Sequence, residues 1–219
     1  GTVEARFYMW RQTYGMVDVI ICPSEFMKRQ LDTNPLLAEK TVMMRNFAER
    51  TAEGKSGEAG EVTPDGVQPA GEADAGKPDG AQPAGTEKQG GTASDYVLYF
   101  GRFSEEKGIG TLLEACKALP DIPFVFAGSG PFEEQVSRVK NVENRGFVTG
   151  EALHRLIARA RFSVYPSEWY ENCPFSVMES QMYGTPVLVS DLGGAPELVQ
   201  AGRTGDLFRG GDVEELTAH

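Results

Sequence analysis

Apolar and polar positions come in alternating blocks through the second half of the chain. Residues 96–100, 124–127, 162–165 and 186–190 are short apolar runs bounded by turn residues. Runs of that length predict strands buried on both faces. Helical patterns lie between them. Residues 111–119 form one, and another begins near Phe132. Residues 151–160 place Leu153, Leu156, Ile157 and Ala160 on a single face. Residues 175–183 follow, with Pro174 in the first turn and Gly184 closing the helix. Alternation of this kind predicts an α/β fold, a parallel sheet covered by helices on both faces. Upstream, residues 17–24 predict a strand ending in a turn, Ser24 caps a helix over 25–31, and residues 41–44 make one more strand.

Residues 52–94 interrupt the pattern, since they contain no Leu, Ile, Met or aromatic residue. Within them Pro-Asp-Gly-Val-Gln-Pro-Ala-Gly at Pro64 recurs as Pro-Asp-Gly-Ala-Gln-Pro-Ala-Gly at Pro78. A segment this poor in apolar groups cannot bury enough surface to order itself, so it is expected to be a disordered low-complexity insert. The chain carries 32 acidic and 21 basic residues, a net charge of −11. The insert supplies −5 of that from eight acidic and three basic positions, leaving a mildly acidic remainder that argues against nucleic-acid binding.

Candidate chemistry gathers where the apolar runs end. Glu171 and Glu179 bracket Asn-Cys-Pro-Phe-Ser-Val-Met, one in the loop after a strand and the other inside a helix. The unpaired N–H groups of that helix start, at Phe175, Ser176 and Val177, favour an anion, and carboxylates accept sugar hydroxyls. A surface pair of glutamates in an acidic chain is the plain alternative. Gly101 to Gly108 forms a strand-to-helix loop with Arg102 and Lys107, a guanidinium fork and a compact ammonium suited to a pyrophosphate. Its alternative is a solvated loop whose basic groups pair with Glu105 and Glu106. Gly128 and Gly130 permit close backbone approach to a ligand, although a tight turn needs glycine anyway. Gly193 and Gly194 repeat that feature before a short helix expected to run through Val199 to Gly202, in which Glu197 reads first as a charge complementing the helix dipole, with a ligand contact as the alternative.

These segments, in this order, resemble the donor-binding half of a retaining glycosyltransferase of family 4 with the GT-B architecture. The resemblance covers residues 95 to about 210 and rests on the basic loop, the G-x-G-P turn, the E-x7-E pair and the glycine-rich turn after the last apolar run. It implies a Rossmann-like donor domain over 95–219, cut short at its far end. Residues 1–51 then correspond to the end of an acceptor-binding domain and the interdomain crossing, with residues 7–10 in a preceding helix. By resemblance, Arg102 and Lys107 hold the donor diphosphate, Glu171 contacts the transferred sugar and Glu179 the ribose. Backbone at Phe175, Ser176 and Val177 holds the distal phosphate, and main chain near Phe147 and Val148 meets the base; Gly101, Gly128 and Gly130 complete the donor contacts. Arg102, Lys107 and Glu171 carry the catalytic expectation.

The resemblance further implies a nucleoside diphosphate sugar as donor substrate, an unspecified acceptor, no resident cofactor and no bound metal. The chain itself is expected to be a fragment or a truncated product. A fragment that binds the donor without activity, and a sugar-nucleotide epimerase of the same architecture, remain alternatives. A nicotinamide dehydrogenase is a poor third reading, because Gly128-Ser-Gly130 is followed by Pro131, Phe132 and Glu133 rather than completing G-x-G-x-x-G. Three widely spaced cysteines, Cys22, Cys116 and Cys173, fit a reducing compartment, and no run of about 18 apolar residues exists to span a membrane. The expected location is the cytoplasm, with contact to the inner membrane face through the missing half left open. His154 and His219 have no partner at metal-ligand spacing.

Overall fold

The computed structural model describes residues 13–48 and 96–219, which belong to one compact unit. The expected helix around residues 7–10, the insert at 52–94 and the domain start at Asp95 lie outside the described residues.

The first part is a small parallel βαβ unit, made of β1 (Ile20–Cys22), α1 (Glu25–Asp32) and β2 (Thr41–Met43). Ser24 caps α1 as expected, its hydroxyl accepting from Met27 N–H at 3.1 Å. At the other end of α1, Lys28 Nζ lies 2.5 Å from Asp32 and 3.2 Å from the hydroxyl of Thr41, tying the helix to β2.

The second part alternates β3 (Val97–Phe100), α2 (Ile109–Ala118), β4 (Phe124–Ala127), α3 (Glu133–Ser137), β5 (Val142–Asn144), α4 (Gly150–Arg159), β6 (Phe162–Tyr165), α5 (Phe175–Met182), β7 (Val187–Ser190), β8 (Gly205–Phe208) and α6 (Val213–Ala218). All pairings in its six-stranded sheet are parallel, in the order β5-β4-β3-β6-β7-β8. The chain therefore winds outward from β3 in one direction, returns to β6 and winds outward in the other. This doubly wound arrangement opens a crevice beyond the carboxyl ends of β3 and β6, where the strand order reverses.

Every residue of β3, β4 and β7 is buried, as uninterrupted apolar runs require. Alternate residues serve opposite faces. Val97, Tyr99, Phe124 and Phe126 pack with Leu112, Leu113 and Cys116 of α2 and with Leu216 of α6. Leu98, Phe100, Val125 and Ala127 pack with Ile157 of α4, flanked by Leu153 and Leu156. The predicted face of α4 is the one that is buried.

The differences from expectation are local. Pro174 stands just outside α5 as its N-cap residue rather than in the first turn. The helix expected through Gly202 is a single 3-10 turn, Ala195–Leu198, because Val199 turns extended. Strands β5 and β8 were not expected, being short edge strands that carry polar residues. The three cysteines are free and buried. Among the described residues no helix is long and apolar enough to cross a membrane.

Candidate functional site

The loop after β3 is held from beneath. Phe103 is fully buried and its N–H donates to Ser129 O at 2.8 Å, while the Tyr99 hydroxyl donates to Arg102 O at 2.7 Å. Arg102 therefore has an anchored backbone and an exposed side chain with no ion-pair partner among the described residues. A 3-10 turn, Glu105–Lys107, follows. Its Glu106 takes the Ser104 hydroxyl at 2.7 Å, and that bond is the main cause holding the carboxyl below the usual range.

Lys107 does not pair with Glu105 or Glu106. Its Nζ lies 2.5 Å from Glu171 Oε1, bridging the loops after β3 and β6 across the switch point. Both side chains are partly shielded, at 28% and 22% exposure, so the pair is neither a free surface contact nor a buried one. The loops are stitched together around it. Glu168 N–H donates to Glu106 O at 3.0 Å and the Ser167 hydroxyl to the same oxygen at 3.2 Å. From the other side Gly194 N–H donates to Glu171 O at 2.6 Å.

The start of α5 faces the same crevice. No side chain caps it and no acidic residue sits in its first turn, so the N–H groups of Phe175, Ser176 and Val177 keep their donor capacity. Glu179 lies one turn further on, half-buried. Burial pushes its carboxyl above the usual range. A carboxylate held in that condition gains from hydroxyl donors. Removing the charge should stabilise the fold. Because the folded carboxyl is raised, wild-type stability falls as pH rises through the raised value. Glu179→Gln is expected to match wild type in melting temperature near pH 4 and to exceed it near pH 7, about the span over which such a carboxyl ionises. Equal melting temperatures at both values would contradict this burial cost.

Tyr165, which the sequence reading passed over, closes β6 beneath Glu171. Burial first, and the neighbouring Glu171 second, push its hydroxyl far above the usual range, with Ser176 as a further neighbour. The signal was present as a hydroxyl-bearing aromatic at the last position of an apolar run. Cys173, inside the E-x7-E loop, is buried and its thiol is raised by burial, which suits a protonated packing group beside Met178.

The glycines serve the protein before any ligand. A Cβ on Gly128 would stand 1.9 Å from Gly101 O, and one on Gly130 would stand 2.5 Å from Phe103 O. The G-x-G-P turn is thus required by contact between the loops after β3 and β4. Phe147 lies exposed beyond β5, and Val148, partly buried, packs against the edge of the core. Gly146 O accepts from Gly128 N–H at 2.7 Å, which ties this corner to the glycine loop. Glu197 does not serve its own short turn: its carboxylate accepts the N–H groups of Glu25 at 2.9 Å and Phe26 at 2.7 Å.

Comparison with known proteins fits this geometry. A family model described as glycosyl transferases group 1 matches residues 94–219. The sulfoquinovosyl transferase SQD2 of Arabidopsis thaliana is 32% identical over 125 residues, covering 54% of this chain and 24% of that protein. The O-antigen chain mannosyltransferase B of Escherichia coli is 32% identical over 137 residues, covering 57% of this chain and 35% of that protein. Among solved structures, Anabaena Alr3699/HepE in complex with UDP superposes with a TM-score of 0.63 at 20% identity, covering 92% of this chain and 52% of that one. The chain thus spans between about a quarter and about half of the length of these relatives.

Proposed function

The chain belongs to the glycosyl transferases group 1 family and has the α/β fold of GT-B glycosyltransferases, and from that premise we propose that it supplies the donor-binding part of an enzyme moving a sugar from a nucleoside diphosphate to a glycan, lipid or small-molecule acceptor. The observation that carries the proposal is the convergence at the switch-point crevice of Lys107, Glu171 and the uncapped start of α5, with half-buried Glu179 one turn further along that helix. We read residues 95–219 as the donor domain, 1–51 as the end of an acceptor-binding domain with its crossing, and 52–94 as an insert between them.

In this reading Arg102 forks onto one phosphate, Lys107 adds a point charge, and the N–H groups of Phe175, Ser176 and Val177 take the distal phosphate. Charge grows on the leaving diphosphate as its bond to the sugar breaks, and fixed donors aimed there lower the barrier. Glu171 accepts hydroxyls of the transferred sugar, Glu179 accepts those of the ribose, and the main chain at Phe147 and Val148 meets the base. Entry of the donor opens the Lys107–Glu171 pair, each partner exchanging the other for a ligand group. Retention at the anomeric carbon and membership of family 4 belong to the proposal, supported by the E-x7-E spacing of Glu171 and Glu179. No residue is assigned as a nucleophile, and no metal or resident cofactor enters the scheme.

Calorimetric titration with UDP, GDP and ADP and with their glucose, N-acetylglucosamine and mannose derivatives tests the reading. Saturable binding of one nucleotide series, weakened in Glu179→Gln, is the expected result. A folded sample that binds none of them, in this chain and in a full-length parent alike, overturns it.

A further inference from the structure

Glu197 lies outside the proposed donor contacts, yet it is among the most fully engaged carboxylates described. Its side chain is 18% exposed, and its two oxygens accept the N–H groups of the first two residues of α1, more than 170 positions away. With Ser24 taking Met27 N–H, donors that the opening turn of a helix cannot satisfy internally are filled from outside. A carboxylate at this end also meets the positive pole of the helix dipole. Arg29 and Arg45 approach the same carboxylate at 4.0 Å, so its charge is balanced from both flanks of the βαβ unit.

The contact reaches the E-x7-E loop by three routes. The ring of Phe26, whose N–H Glu197 holds, stacks on Tyr170 at 5.5 Å between centroids and 21° between planes. Asn46 Nδ2 donates to Cys173 O at 3.4 Å. The turn that carries Glu197 begins at Gly194, whose N–H holds Glu171 O and whose carbonyl accepts Glu197 N–H at 3.2 Å. The two glycines that lead into the turn admit no side chain, because a Cβ on Gly193 would stand 2.4 Å from Glu171 O and one on Gly194 would stand 2.1 Å from Asn172 O and 2.5 Å from Ser24 Cβ. One short segment therefore grips the backbone of Glu171 on one side and the start of α1 on the other.

We propose that Glu197 is a positioning residue, clamping the βαβ unit of residues 20–43 onto loop 166–174 so that Glu171 is held for the sugar moiety of the donor. The inference about Glu171 rests on the donor-binding reading above; the clamp does not. A clamp on the sugar contact predicts an effect confined to the sugar. Without it the loop samples other positions, and the discrimination between a nucleotide sugar and the bare diphosphate declines.

The test uses the full chain as wild type, Glu197→Gln and Glu197→Ala. Amide hydrogen exchange at residues 25 and 26 should quicken about tenfold or more in the alanine variant, the size expected for losing hydrogen bonds to a charged acceptor, exchange at 170–172 should quicken with the loosened loop, and both effects should be smaller in the glutamine variant, which keeps one strong acceptor. Exchange in β3 and β4 should not change. The ratio of UDP-glucose to UDP affinity, or of the GDP or ADP pair if titration selects that base, should fall several-fold in the alanine variant with the bare diphosphate bound no more weakly, and glutamine should recover part of it. General loosening would weaken both ligands together and would overturn the positioning role. Unchanged exchange at 170–172 would overturn it as well, whatever happens at 25 and 26. If the alanine variant does not fold, the glutamine variant decides by the same two readouts. Failure of the wild type to bind any nucleotide sinks the donor reading, while the exchange result still decides whether the clamp exists.

Discussion

Replacing Lys107 with methionine is expected to lower nucleoside diphosphate affinity by about tenfold to a hundredfold, while Glu171→Gln raises it. A hydrogen bond to a charged group contributes about 1.5–3 kcal/mol, and each 1.4 kcal/mol is about a factor of ten in affinity. The opposite sign for Glu171 follows from the 2.5 Å ion pair, in which the carboxylate occupies the ammonium that the diphosphate needs and also places a negative charge beside the incoming anion. Glutamine releases Lys107 and removes that charge. The gain should be a few-fold, because a partly shielded pair is worth little net, about 1 kcal/mol or less. For the intact nucleotide sugar the gain should vanish or reverse, since the hydroxyl acceptor is weakened too. Calorimetry with UDP, GDP and ADP and their sugar derivatives separates the cases. A Glu171→Gln protein that binds the bare diphosphate less well would mean that the carboxylate holds Lys107 in its working position rather than competing for it.

Gly108→Ala is expected to be the most damaging single-methyl change to the fold. Gly108 ends the 3-10 turn and opens α2 at φ 69°, a left-handed conformation. A side chain there costs about 1–2 kcal/mol in backbone strain alone. The added Cβ would also stand 1.8 Å from Pro166 O, backbone of the facing loop, which has no flexible end to swing aside. Either β6 and its loop move away from β3 or α2 loses its start, and both outcomes disturb the Lys107–Glu171 bridge. A urea midpoint lowered by more than the strain figure, with a loss of nucleotide binding, is the expected outcome. Gly110→Ala is the control, for its Cβ would meet nothing within 4 Å and it lies inside α2, where alanine is favoured by about 1 kcal/mol. Equal midpoints for the two variants would show that the loops at the switch point yield easily.

What was legible in the sequence was what depends on near neighbours. Apolar runs marked β3, β4, β6 and β7, the face of α4 followed from its period, and Ser24 identified itself as a cap because each of these is settled within four or five positions along the chain. The short edge strands β5 and β8 escaped because each is covered by a neighbour on one side only and so tolerates polar residues. The candidate residues at the ends of β3 and β6 were legible as well, since a strand followed by a loop and a helix places its loop at the carboxyl edge. Their pairing was not. Lys107 is 64 positions from Glu171, and two nearer glutamates were the local choice; the adjacency of β3 and β6 in the sheet made the distant partner the near one. Glu197 shows the same limit more strongly, being a plausible charge for its own short turn by sequence and a cap for α1 in space. Charge, capping capacity and strand propensity are properties of the residues and are written locally. Which groups satisfy one another depends on the strand order and on the close approach of loops that Gly108, Gly128 and Gly194 permit, and that is decided only when the chain is folded.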